Sequence, residues 1–86
     1  MELIYPRSST KVFIPKELDG TVGKTIFEAA HRKPATTIYW HLDNEYLGKT
    51  NQIHQFGIYT TAGKHKITLV DQDGNSLNQR FEVVSD

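Results

Sequence analysis

Cysteine is absent from the 86 residues. That excludes a disulfide framework, a thiol nucleophile and a thiolate metal site, and leaves the redox compartment open. An excess of charge of either sign is lacking too: ten Lys and Arg offset ten Asp and Glu, with no run of like charge. An acidic or basic tail is thereby excluded. No nucleic-acid partner is expected, because that would need a clustered basic footprint. No apolar stretch approaches the roughly 18 residues of a membrane span, and no charged-then-apolar leader opens the chain, so no direct membrane insertion by these residues is expected. Internal repeats and low-complexity segments are missing as well. The length predicts a single domain, 1–86, and a thin core in which every large apolar residue counts. The abrupt opening "MELIYP" is expected to mark a domain excised from a larger protein.

What is present is alternation. "TIYWHL" sets Ile38, Trp40 and Leu42 on one face and Thr37, Tyr39 and His41 on the other. "KHKITLV" alternates His65, Ile67 and Leu69 against Lys66, Thr68 and Val70, and "QRFEVV" sets Phe81 and Val83 against Arg80, Glu82 and Val84. Period two with β-branched and aromatic enrichment predicts half-buried strands. Asp19-Gly20, Asp43-Asn44, Ala62-Gly63 and Asp73-Gly74 supply turns, since Gly, Asn and Asp accept the positive φ that tight reversals need. Strands are predicted near 3–5, 11–14, 24–30, 36–42, 45–49, 53–59, 64–71 and 77–84. The fold class is therefore all-β, a small immunoglobulin-like sandwich of seven or eight antiparallel strands.

Several strings imitate catalytic or ligand-binding motifs. Ser8 and Lys11 have the S-x-x-K spacing of penicillin-recognising serine acylases, and Ser76 to Asn78 supplies an S-x-N. In such enzymes the serine opens a helix; residues three apart on a strand point to opposite faces, so no catalytic residue is assigned. "DGTVGKT" resembles a phosphate loop, yet Leu18 stands where its first glycine belongs and a strand follows instead of a helix. Asp71, Asp73, Asn75 and Glu82 occupy positions 1, 3, 5 and 12 of a calcium loop, but the glycine is at position 4 instead of 6; a turn between two strands explains the same residues. His31, His41, His54 and His65 show no close ligand pair, so no metal and no cofactor is expected. For His65 a hydrogen bond from a strand end to a loop carbonyl is the expectation.

The densest candidate is "TIYWHLDNEYLGKT", Thr37 to Thr50. A two-residue turn at Asp43-Asn44 predicts Trp40 opposite Leu47 and His41 opposite Tyr46. Ile38, Trp40, Leu42 and Leu47 then join Ile67, Leu69, Phe81 and Val83 in the core. Tyr39, His41 and Tyr46 are left on the outer face as the candidate binding patch, since exposed aromatics enrich interfaces. If a glycan were the ligand, Asp43, Asn44 and Gln55 would be the hydroxyl contacts.

"VFIPKELDG", "FEAAHRKPATTIYWHLDNEYLGKT" and "GKHKITLVDQDGNSLNQRFEV" resemble, in order and spacing, the C-terminal domain of 1C-type penicillin-binding proteins, from Ile4 to Val84. "AAHRKP", "YWHLDNEYLG" and "ITLVDQDGN" are the most specific parts. The resemblance implies a periplasmic location on an inner-membrane-anchored parent that builds peptidoglycan. In that parent a glycosyltransferase domain and a penicillin-binding transpeptidase domain precede this region, and none of their catalytic motifs falls on these residues. It implies a non-catalytic interaction module, with the parent's own domains, a periplasmic protein such as a protease-trapping macroglobulin, or peptidoglycan as partners. The alternative it leaves open is a module that binds the glycan itself.

Overall fold

A computed structural model describes residues 1–7, 11–13, 24–33 and 35–84. Among these, eight strands follow one another: β1 (Glu2–Tyr5), β2 (Lys11–Phe13), β3 (Lys24–Ala30), β4 (Thr37–Leu42), β5 (Glu45–Asn51), β6 (Gln55–Tyr59), β7 (Gly63–Asp71) and β8 (Ser76–Val84). They form a three-stranded sheet in the order β1-β3-β6 and a five-stranded sheet in the order β2-β8-β7-β4-β5. The Asp19-Gly20 turn, Ser8, Pro15, Pro34 and most of the phosphate-loop-like string lie outside the described residues. No helix among the described residues is long and apolar enough to cross a membrane.

Alternation decides which side chains meet between the sheets, because successive residues of a strand point to opposite faces. From the three-stranded sheet come Leu3, Phe27, Ala29 and Ile58; from the five-stranded sheet come Val12, Ile38, Trp40, Ile67, Leu69, Phe81 and Val83, all buried. Phe27 meets Phe81 edge-on across the layers, centroids 5.3 Å apart at 72°, and Trp40 stacks on Phe56 at 5.7 Å and 26°. Trp40 is fully buried. A ring of that size removes on the order of 150–250 Å² from water, an upper-bound contribution of about 4–6 kcal/mol.

The turns are local chemistry. Asp43 and Asn44 both take positive φ, 51° and 71°, the paired left-handed geometry whose twist suits a two-residue hairpin. Between β7 and β8, Gly74 has φ 89°, and its N–H donates to the Asp71 carbonyl at 3.0 Å.

Two expectations are corrected. Trp40 lies opposite Gly48, not Leu47, because a bulge separates it from the His41–Tyr46 pair. The extra residue is Leu47, which, like Leu42, is half-buried at the margin of the core instead of inside it. The glycine has a reason: a Cβ at position 48 would lie 3.0 Å from the Phe56 ring, so the ring that stacks on Trp40 occupies that space. The second correction concerns direction. β2 pairs with β8 in parallel, whereas the other pairings are antiparallel. Pro6, which has no N–H to donate, follows β1, and the chain then joins the other sheet at the edge of β8.

Candidate functional site

The outer face of the five-stranded sheet carries the residues that strand parity turns away from the core. Tyr39, His41 and Tyr46 are brought together there. The Tyr46 ring lies 5.4 Å from His41 at 58° and 6.5 Å from Tyr39 at 43°. Tyr46 is 54% exposed, and the other two are half-buried. On β7, Val70 and Thr68 sit opposite Tyr39 and His41, and the Thr68 hydroxyl donates to Asn78 at 2.7 Å. The result is an aromatic ridge centred on Tyr46, its rings tilted to one another. It offers contact area and hydrogen bonds, and it contains no nucleophile with a base and an orienting partner.

Further along the same face the character changes. Lys66 on β7 is directly opposite Arg80 on β8, and Lys64 is opposite Glu82, which is itself opposite Lys11 on β2. These side chains and Asp43 line a groove of about 540 Å³. Sequence reading missed this cluster because the four cations belong to three strands and the net charge is zero. The signal was the parity of "KHK" combined with that of "QRFE".

His65 anchors the rim of the groove. Its Nδ1 faces Asp43 Oδ2 at 2.6 Å and its Nε2 faces the Thr61 carbonyl at 2.7 Å. Both partners are acceptors, so only the imidazolium satisfies both contacts. Burial works against that charge, but the bonds to Asp43 and Thr61 outweigh it and raise the His65 pKa. Burial likewise pushes Asp43 up, yet the His65 bond and the Lys66 N–H, 2.8 Å from Oδ1, bring it below the ordinary carboxylate value.

The residues of the calcium-like string are otherwise engaged. Asp71 Oδ1 accepts from the N–H groups of Asp73 and Asn75 at 3.0 and 2.9 Å. Its Oδ2 accepts from Asn75 Nδ2 at 3.1 Å and from His31 Nε2 at 2.9 Å. The His31 bond, then those from Asn75 and Asp73, hold this carboxylate well below its usual range despite burial. Asp73 pairs with Lys33, and Glu82 lies away on the groove. Asp71 is a turn clamp, and no group of three His, Asp or Glu able to hold a metal occurs among the described residues.

The other candidates separate. Gln55 is on β6, in the other sheet, where its amide reaches Glu28, so it does not converge with Asp43 and Asn44. His54 is buried, and its Nδ1 lies within hydrogen-bond distance, 2.8 Å, of the Thr50 hydroxyl, which accepts from Trp40 Nε1 at 2.9 Å. Sequence reading also passed over the outer face of the three-stranded sheet. There Ile26 and Tyr59 are exposed, and Lys24 crosses the space above Gly57 toward the Tyr59 ring.

Comparison with known proteins bears on fold and family. The fibronectin(III)-like modules of Clostridium thermocellum CbhA have a solved structure similar to this one, with a TM-score of 0.71 over 98% of this chain and 95% of that one at 14% identity. At that identity the likeness is one of fold, an immunoglobulin-like sandwich. No curated protein matches the chain. The model of the penicillin-binding protein C-terminus family matches residues 1–81, nearly the whole length. A sandwich with the strand order described, carrying that family's sequence pattern over residues 1–81, belongs to the penicillin-binding protein C-terminus family.

Proposed function

We propose that this domain is a non-catalytic docking module of a penicillin-binding-protein-type cell-wall synthase, and that it holds the enzyme to a partner protein or to the parent's own domains. The observation that carries the reading is the Tyr39/His41/Tyr46 ridge, an aromatic cluster on an open sheet face with Tyr46 more than half exposed. Large aromatic rings bring much contact area with few rotatable bonds, which is why they recur as interface anchors. On this reading the domain works in the periplasm, carried by an inner-membrane-anchored parent whose glycosyltransferase and transpeptidase-like domains perform the chemistry. The rings are tilted by 43° and 58°. That suits insertion into a protein surface better than stacking along a flat run of sugars.

The test is chemical-shift mapping of the labelled domain with the parent's transpeptidase domain, and separately with peptidoglycan fragments. Shifts centred on Tyr39, His41 and Tyr46 are expected with the protein. The triple alanine variant should weaken that binding by at least about tenfold, since a single aromatic hot spot contributes about 2 kcal/mol or more. Equal binding by the variant would overturn the site, and shifts produced by the glycan fragments alone would replace docking with carbohydrate binding.

A further inference from the structure

The groove beside the ridge carries an inference about partner chemistry. Lys66 and Arg80 sit directly opposite each other on the outer face, and like charges so placed repel. Lys11 and Lys64 flank Glu82 one row further along. None of the four cations forms an ion pair with a described residue. Of the two carboxylates lining the groove, Asp43 is already bonded to His65 and the Lys66 N–H, and Glu82 is the one left to face Lys11 and Lys64 on either side.

We infer that this groove seats an acidic polypeptide segment of the docking partner, in extended form along β8, with its carboxylates on the two cationic rows. The inference rests on the docking reading and adds the partner's chemistry to it. Alternate residues of an extended chain are about 7 Å apart, the same spacing that separates the Arg80 row from the Glu82 row on a strand. Carboxylates at positions i and i+2 of the segment therefore meet one row each. The planar fork of Arg80 takes a carboxylate through two parallel hydrogen bonds. Glu82 and Asp43 interrupt the positive surface, so discrete carboxylates fit where a continuous phosphate backbone would pass over fixed negative charge.

The test uses the 86-residue chain, titrated by NMR with a capped Glu-Thr-Glu-Thr-Glu peptide, the matching Gln peptide and inorganic polyphosphate. The Glu peptide is expected to shift the amides of Lys64, Lys66 and Arg80, and to bind less as salt rises. Lys66→Glu with Arg80→Glu should weaken it by at least about tenfold while the rest of the spectrum stays in place. Absence of those shifts, equal binding of the Gln peptide, unchanged affinity in the double variant, or tighter binding of polyphosphate at the same amides overturns the inference. The triple alanine variant at Tyr39, His41 and Tyr46 should keep its affinity for the Glu peptide. If that variant loses the protein partner while the unmutated chain ignores the Glu peptide, the groove inference fails and docking stands. If the unmutated chain takes the Glu peptide but shows no protein partner, the docking reading fails, and with it the assignment of the segment to that partner.

Discussion

Thr50 carries more of the core than its polarity suggests. Its single hydroxyl oxygen accepts from Trp40 Nε1 and also hydrogen-bonds His54 Nδ1, so one side chain partners a nitrogen of each of two buried rings. Thr50→Val keeps the shape and removes both bonds, leaving an indole N–H and an imidazole nitrogen unpaired. Each orphan costs about 1–3 kcal/mol. Two orphans together cost at least about 2 kcal/mol, so a fall in melting temperature of about 8–16 °C or more, measured by calorimetry, is expected for a domain of this size. An unchanged melting temperature would show that the relay carries no energy. Strand parity made the inward position of Trp40 legible in the sequence. It could not reveal Thr50, because the bulge between Trp40 and Tyr46 alters which residues of β5 face the tryptophan.

The β4–β5 hairpin shows the same division at the level of an element. Its turn was readable, since Asp43 and Asn44 tolerate positive φ and stand between two alternating runs. Its bulge was not, because it goes with Phe56, a residue of the other sheet whose ring occupies the space above Gly48. Gly48→Ala forces the Phe56 ring to move away from its stack on Trp40. That overpacking is expected to destabilise the domain by about 1–3 kcal/mol, read as a lower midpoint in urea with unchanged slope. The shifts should concentrate at Phe56 and Trp40 in the amide and indole spectra. Displacement of Tyr46 instead would mean that the bulge serves the outer ridge.

Across the whole molecule the titrating groups act in opposing directions. Asp71 and Asp43 are held below their ordinary pKa, so their stabilisation is complete above the unfolded value of about 4 and is lost as pH falls from there. His65 is raised; its contribution is complete below about pH 6.5 and is lost as pH rises through its folded value. Burial, with His31 nearby, lowers His54, and that group costs stability as pH falls below about 6.5. The two histidines therefore act on opposite sides of about pH 6.5, His54 below it and His65 above it, and the loss below about pH 4 belongs to the carboxylates. In urea denaturation across pH, His65→Gln is expected to remove the loss of stability above about pH 6.5, and His54→Gln to remove the loss just below about pH 6.5. Asp71→Asn should flatten the loss below about pH 4. Parallel pH profiles for the two histidine variants would contradict this assignment. None of these partnerships was readable beforehand except the bond from His65 to a loop carbonyl, whose strand-end position exposes it to the preceding loop.

Local geometry let the sequence determine the all-β class, the turns at Asp43-Asn44 and Asp73-Gly74, the inward set of Ile38, Trp40, Ile67, Leu69, Phe81 and Val83, and the outer trio of Tyr39, His41 and Tyr46. Where no bulge intervenes, a residue's side of a strand depends only on its own position in a two-residue repeat. Only the tertiary structure decided the Gly48 bulge, the parallel placement of β2, the Trp40–Thr50–His54 relay and the gathering of Lys11, Lys64, Lys66 and Arg80 on one groove. Each of these depends on which strands become neighbours and in what register, and segments far apart in the chain set that through contacts that no local pattern encodes.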